Sequence, residues 1–273
     1  MANMRRVLLA LLAFSGLAST THADELNDYA KHASCLISAN NTYKLSAAVA
    51  GTLSRVAVKR ADKVVKGQVI AELESAVEQA QLDAAIARAA TDVAIRLKTA
   101  VAVAAEAKLA RQQKLVNLKV TTDQSFEEAQ AQAAVARAEV EQAEIDRDLA
   151  KLEVNRLRAT LERRILRAPV DAVVTDVMLH EGEFADPANA VASVIEIEPL
   201  KVELYLSASS YVMVSAGMMA RVTPQEPIGG VYEAEVISKD PQIDAASGLF
   251  LVQLRLPNPD RKIPAGIRCG VQF

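Results

Sequence analysis

The chain has 273 residues, of which 51% are hydrophobic, 24% charged and only 4% aromatic, with a formal net charge of −3. The absence of Trp and the abundance of alanine in the middle third argue against a large aromatic core and for closely packed helices. The acidic balance argues against nucleic acid, whose phosphates call for a basic face.

Residues 1–23 read as a secretory signal. Arg5 and Arg6 form a basic start, Val7 to Ala18 an apolar run of about a dozen residues, and Thr21-His22-Ala23 small positions flanking a cut before Asp24. A bilayer span needs roughly 20 apolar residues, so an uncleaved anchor is the lesser alternative. Loss of Arg5 and Arg6, with no acid removed, takes the net charge from −3 to −5. Cys35 is preceded by His32-Ala33-Ser34, which is no lipobox, so no lipid anchor is expected. Cys35 and Cys269 are the two cysteines. In an oxidising compartment they are either a bridge joining the ends of the mature chain or two buried thiols. No C-x-x-C occurs, which disfavours redox catalysis and cysteine-rich zinc sites.

Two stretches resemble each other at an offset of 121 residues: Val49-Ala50-Gly51 with Val170-Asp171-Ala172, Val56 with Val177, Val58 with Leu179, Asp62 with Glu183, Ile70 with Val191 and Leu73 with Val194. Both alternate apolar and polar residues in short runs broken by Gly, Asp or Pro, the pattern of half-buried strands. Neither copy can bury a face alone, so the two are expected to form one β-domain.

Between them, residues 76–165 contain neither Gly nor Pro and are dominated by strong helix formers. One helix is expected from Ala76 to Leu118, with a seam of Ile86, Ala90, Val93, Leu97, Ala100, Ala104, Ala107, Arg111, Lys114 and Leu118. A second is expected from Asp123 to Arg163, with a seam of Ala133, Ala136, Val140, Ala143, Arg147, Ala150, Val154, Leu157 and Leu161. Steps of 3 and 4 are heptad spacing, and the small alanines allow close backbones. Val120-Thr-Thr-Asp123 is the one expected break, since β-branching lowers helix propensity and Thr or Asp caps the next helix. At 1.5 Å rise, about 43 residues make a rod of about 65 Å.

From Pro199 to the end, Lys201–Leu206, Tyr232–Ile237 and Phe250–Leu256 alternate as strands, separated by turn signals at Gly229-Gly230, Ser247-Gly248 and Pro257-Asn-Pro-Asp260. A small β-barrel is expected, with a helical turn in Ser207 to Gly217.

This order resembles the periplasmic adaptor, or membrane fusion, family, which includes HlyD-type secretion proteins. The phrases that carry it are Ala48-Val-Ala-Gly51, Val56-Ala-Val58, Asp62-Lys-Val64, Lys66-Gly67-Gln68 and Leu73-Glu74, then Leu166-Arg-Ala-Pro169 and Glu181-Gly182-Glu183. The barrel ending resembles the family's in Asp244–Gly248, Leu256–Asp260 and Pro264-Ala-Gly266. Ala61, Ala172 and Ala188 stand where the family has turn glycines. The chain stops soon after the barrel, whereas many adaptors of proton-driven pumps continue into a membrane-proximal domain.

The resemblance implies an elongated α+β fold: a long antiparallel coiled-coil hairpin inserted in a split lipoyl-like domain, followed by a small β-barrel. The parts would be a signal peptide (1–23), an N-terminal strand segment joining the barrel (24–45), lipoyl-like half 1 (46–75), the hairpin (76–165), lipoyl-like half 2 (166–197) and the barrel (198–273). Adaptors that meet TolC-type channels carry at the hairpin tip an Arg, a Leu four residues on and a Ser seven further, which map to Arg111, Leu115 and Thr122. The resemblance further implies a non-enzymatic periplasmic subunit without cofactors, held at the inner membrane by a transporter, RND-type foremost and ABC-type as the alternative. Its other partners would be a TolC-type channel and further copies of itself in a ring. The reading from another class is a structural envelope coiled coil or an activator of peptidoglycan enzymes.

Competing chemistries find little support. A lipoyl carrier needs an acceptor lysine near Val77, and Ser75-Ala76-Val77 has none. His22, His32 and His180 lack paired metal-ligand spacing, and Met213 with Met218-Met219 reads as barrel core or rim before soft-metal capture.

Overall fold

The computed structural model describes residues 18–31 and 33–273. The signal-segment reading of residues 1–17, and His32, lie outside them. The first element is a helix, α1 (Ala18–Lys31). This corrects the expectation of a strand segment from residue 24: Leu26 and Ala30, one helical turn apart, are both buried, and Leu26 joins the barrel core.

The strands β1 (Ser34–Ser46), β2 (Gly51–Val56), β3 (Lys63–Val64) and β4 (Val69–Leu73) come next. Then come the helices α2 (Ala76–Ala90), α3 (Val93–Asn117) and α4 (Asp123–Glu162), and the second set of strands, β5 (Ile165–Arg167), β6 (Ala172–Val177), β7 (Phe184–Ala185) and the long β8 (Ala190–Ser207). A 3-10 turn at Ala208–Met213 precedes β9 (Met219–Pro224), β10 (Tyr232–Lys239), β11 (Leu249–Leu256) and β12 (Ile267–Gln272).

The 121-residue offset is the internal symmetry of a β-sandwich. It carries β2 onto β6, β3 onto β7, β4 onto the start of β8, and Lys44–Ser46 of β1 onto β5. One sheet runs β1-β8-β6-β3 and the other β5-β4-β2-β7, so each half's two-residue strand pairs with the other half's opening strand. Equivalent side chains fill the interior as pairs: Leu53 and Val174, Val64 and Ala185, Ile70 and Val191, Leu73 and Val194 are all buried. Neither half can bury this surface alone, which couples the two across the helices between them. Among the alanines expected at turn positions, Ala61 has φ +71°. Ala172 instead lies inside β6, and Ala188 has no positive φ, so the expectation is corrected for both.

β1 and β8 continue out of the sandwich into a six-stranded antiparallel barrel of order β1-β12-β9-β10-β11-β8, closed by the β1–β8 ladder. At the passage the register shifts between Ala39 and Asn41, and the side-chain amides of Asn40 and Asn41 both donate to Glu196 Oε2 at 2.9 Å. Alternation fills the barrel with Leu200, Val202, Leu204 and Leu206 from β8 and Phe250, Val252, Leu254 and Leu256 from β11. Buried Asn258 ties the loop after β11 to β8: its Nδ2 donates to Ile197 O (3.0 Å) and Ile263 O (2.9 Å), and its Oδ1 accepts from Ile263 N (3.1 Å).

The helices leave the sandwich from β4 and return to it at β5. Cross-leg contacts run in opposite order along the two legs: Leu82 packs with Val154 and Leu157, Lys98 pairs with Glu139 at 3.0 Å, and Lys108 Nζ donates to Gln132 at 2.9 Å. α2 and α3 are therefore antiparallel to α4. The first leg is not the single helix expected from Ala76 to Leu118. It is interrupted at Thr91 and Asp92, where Thr91 is extended (φ −82°, ψ 133°).

Candidate functional site

The end of the helical hairpin is a fully bonded turn. α3 closes with the N–H of Lys119 donating to Val116 O (2.8 Å) and that of Val120 to Leu115 O (3.0 Å), the paired bonds of a Schellman motif. The left-handed residue such a motif needs is Lys119, φ +55°, where glycine is usual. Thr122 then caps α4, its Oγ1 accepting from Ser125 N at 3.4 Å. Arg111 and Leu115 lie one turn apart on α3, and Thr122 begins the opposite leg, so all three sequence-predicted tip residues lie at this end. Arg111 is exposed and forms no ion pair among the described residues. Leu115, Leu118 and Val120 are exposed beside it, with Lys114 and Lys119. The turn thus presents apolar knobs rimmed by cations.

Along the legs, burial separates an inner from an outer stripe. On α4 the expected seam faces inward: all nine positions from Ala133 to Leu161 are buried or half-buried. On the first leg the expected seam is corrected, since all ten positions from Ile86 to Leu118 are exposed. The inner positions there are Leu82, Ala85 and Ala89 on α2, then Ile95, Lys98, Ala102, Ala105, Leu109, Gln112 and Val116 on α3. The two stripes are equally apolar, eight of ten positions in each, so apolarity does not tell them apart, and the expected one faces away from α4. α4 carries a second stripe of the same kind, Ala131, Val135, Ala138, Ile145, Leu149 and Leu152, also exposed. Sequence reasoning missed it, although its steps of 3, 4 and 7 are legible. Leu97 and Leu152 are 62% and 63% exposed, so both edges of the hairpin carry large apolar side chains without a partner.

At the base, Arg164 joins hairpin to sandwich. Its Nη2 pairs with Glu78 on α2 and its Nη1 donates to Ala50 O at 3.2 Å. A Cβ on Gly51 would lie 2.7 Å from that Nη1, so any larger residue there would push the guanidinium aside. The backbone N–H of Glu78 first, and then the Arg164 guanidinium, hold the Glu78 carboxyl below the usual carboxylate range. In the barrel, Cys35 on β1 and Cys269 on β12 form a disulfide with Cα atoms 5.0 Å apart.

The remaining candidates of the sequence are scattered. His180 is an exposed turn residue with Nδ1 3.8 Å from Glu183, and Met213 and Met218 pack against the barrel core. Among the described residues no group of three His, Cys, Asp or Glu could hold a metal ion, and no helix is long and apolar enough to cross a membrane. An open cleft of about 500 Å³ where barrel meets sandwich is lined by Glu198, Pro199, Lys201, Ile237, Arg255 and Pro257, and gathers none of the predicted site residues.

A helical hairpin set between the halves of a symmetric sandwich, with a six-stranded barrel beyond it, is the fold of the membrane fusion, or periplasmic adaptor, proteins, and this chain has it. In particular, it resembles the crystal structure of MacA from Actinobacillus actinomycetemcomitans at a TM-score of 0.72 and 22% identity, over 88% of this chain and 76% of that one. Curated relatives include the macrolide export protein MacA of Yersinia pestis, 24% identical over 80% of this chain and 60% of the relative. An uncharacterized protein of Haemophilus influenzae is 26% identical over 85% of this chain and 54% of its own length. The chain thus spans between half and two thirds of these two curated relatives. No protein-family model matches it.

Proposed function

We propose that the chain is a periplasmic adaptor subunit of a tripartite efflux or secretion system, linking an inner-membrane transporter of RND or ABC type to a TolC-type outer-membrane channel. It performs no bond chemistry: it seals a conduit and transmits conformational change. The observation that carries the reading is the pair of unpartnered apolar stripes on opposite legs of the hairpin. As a coiled coil with two outer edges, the hairpin packs its first-leg stripe (Val93, Leu97, Ala100, Ala104) onto the second-leg stripe (Val135, Ala138, Ile145, Leu149) of the next copy. Such a contact uses two different surfaces, so repetition closes into a ring when the rotation permits. A ring of hairpins is a tube wall, and its rim is the turn bearing Arg111, Leu115 and Thr122. The lipoyl-like sandwiches form the collar beneath, and the barrels face the transporter. Similarity to one curated relative whose name records macrolide export supports the export role.

A photoreactive amino acid at Leu115, crosslinked in intact cells and followed by mass spectrometry, tests the reading. Capture of an outer-membrane channel is expected. Capture of peptidoglycan enzymes alone would overturn it in favour of an envelope activator.

A further inference from the structure

The interruption of the first leg has a cause in the heptad phase. On α2 the inner positions are Glu78, Leu82, Ala85 and Ala89, in steps of 4, 3 and 4. On α3 they are Ile95, Lys98, Ala102, Ala105, Leu109, Gln112 and Val116, in steps alternating 3 and 4. Each run keeps its own phase, but the α2 series would continue to residues 92, 96 and 99, whereas the α3 positions fall at 95 and 98. The first leg is one residue short of a continuous seam. α4 runs from Ala129 to Leu161 without such a slip. An unbroken first helix could face α4 with only one of its two segments.

We propose that Thr91 and Asp92 form a hinge about which α3 and the distal part of the hairpin pivot, while α2 remains fixed to the sandwich. Three observations support it besides the slip. First, both helix ends at the interruption lack side-chain caps: α2 ends on an extended Thr91, and Asp92 caps no backbone N–H of α3, its carboxylate pairing instead with the exposed Arg96 Nε at 3.3 Å. Among the described residues, the backbone bond formed there outside the helices is Arg96 N to Asp92 O at 3.0 Å. The tip, by contrast, is bonded on both sides. Few local bonds and full exposure mark a segment of low local stability. Second, the contacts divide at this point. Glu78 with Arg164, and Leu82 with Val154 and Leu157, hold α2 to the base; Lys98 with Glu139, and Glu106 with Arg137, hold α3 to the distal part of α4. Third, the inner position of α4 facing the gap, between Ala143 and Ala150, is Arg147, whose Nε is buried without a hydrogen-bond partner. A bulky cation in a seam of alanines keeps the legs from closing tightly where they must move. Continuous α4 is the leaf of the hinge and the gap in the first leg its slack. On the adaptor reading, the hinge lets the rim be re-aimed without disturbing the collar, and its own test makes no use of export.

Hydrogen exchange on the full chain reads the hinge directly. The amides of residues 91–95 should exchange at least tenfold faster than those of 98–110, with residues 143–152 on α4 staying protected; equal protection along the first leg would overturn the proposal. Spin labels on Lys63→Cys and Gln113→Cys, with the native disulfide kept oxidised and labelled protein diluted in unlabelled, should give a broad distance distribution. Thr91→Ala with Asp92→Ala and one alanine inserted after residue 92 restores the phase, and should protect 91–95 and narrow that distribution. An equally narrow distribution in the original chain would sink the hinge even if the inserted variant failed to fold. Loss of the adaptor reading alone would leave all of these outcomes unchanged.

Discussion

Ala61 and Gly182 occupy the same turn in the two halves of the sandwich. Their φ angles are +71° and +86°, and each donates its N–H at 2.8 Å to a strand of the other half, Ala61 to Val174 O and Gly182 to Leu53 O. The two halves are thus stitched by equivalent bonds, but only one of them has the residue suited to the conformation. A left-handed backbone costs a residue with a Cβ roughly 1–2 kcal/mol, partly offset by the roughly 0.5–1 kcal/mol of extra freedom that glycine loses on folding. Ala61→Gly should therefore stabilise the chain by about 0.5 kcal/mol and Gly182→Ala, which meets no steric obstacle, destabilise it by about 1 kcal/mol. Paired urea titrations would check both signs.

Asn258 should be the costliest single polar residue of the barrel. Asn258→Ala leaves Ile197 O, Ile263 O and Ile263 N without their side-chain partner, in a place that is 3% exposed. A loss of about 2–4 kcal/mol is expected for such a set of buried groups. Chemical denaturation measures it, and a loss under about 1 kcal/mol would mean that water replaces the amide.

The disulfide joins β1 and β12 where their ladder is brief, Leu36 opposite Arg268 and Ile37 opposite Ile267. Reduction, or Cys35→Ser with Cys269→Ser, should cost about 2–5 kcal/mol, chiefly by freeing the unfolded chain. Melting with and without reductant tests this, and in hydrogen exchange the loosening should appear in β1 and β12 before the sandwich.

The Glu78–Arg164 pair makes the hairpin base sensitive to acid. Glu78 titrates below its ordinary range when folded, so its contribution is complete above the unfolded value and is lost as pH falls through the lowered folded one. Glu78→Gln should flatten the stability profile below about pH 4.5, the ordinary glutamate range, and leave the slope near neutrality unchanged. Gly51→Ala, which displaces the Arg164 guanidinium, should loosen the same joint at neutral pH.

At the tip, Arg111→Asp should abolish export at normal protein levels while the far-UV circular dichroism stays that of the parent chain. Thr122→Ala should instead fray the start of α4 at a cost of about 1 kcal/mol, because its hydroxyl already serves Ser125. Normal export by the Arg111 variant would end the tip assignment.

The internal repeat was legible before any folding, since strand alternation and the shared offset of 121 residues survive even with little identity between the halves. So was the helical insertion that separates them, because a stretch without Gly or Pro and rich in alanine has few other options. The inner seam of α4 could be read for the same reason: its alanines and leucines keep one phase throughout. Which face of the first leg turns inward was settled only by packing. Both legs carry two apolar stripes, and periodicity ranks stripes by apolarity alone. The two on the first leg are equally apolar, since the expected stripe of Val93, Leu97 and Ala100 carries Arg111 and Lys114 and the one packed against α4, with Ile95 and Ala102, carries Lys98 and Gln112. The buried stripe is the one that opposes the inner alanines of α4 and lets Lys98 meet Glu139, a choice set by contacts between residues some forty positions apart. The break at Thr91 was legible only in part: Thr91-Asp92 repeats the Thr-Asp pair that marks the tip at Thr122-Asp123, but the missing phase matters only once α4 lies alongside.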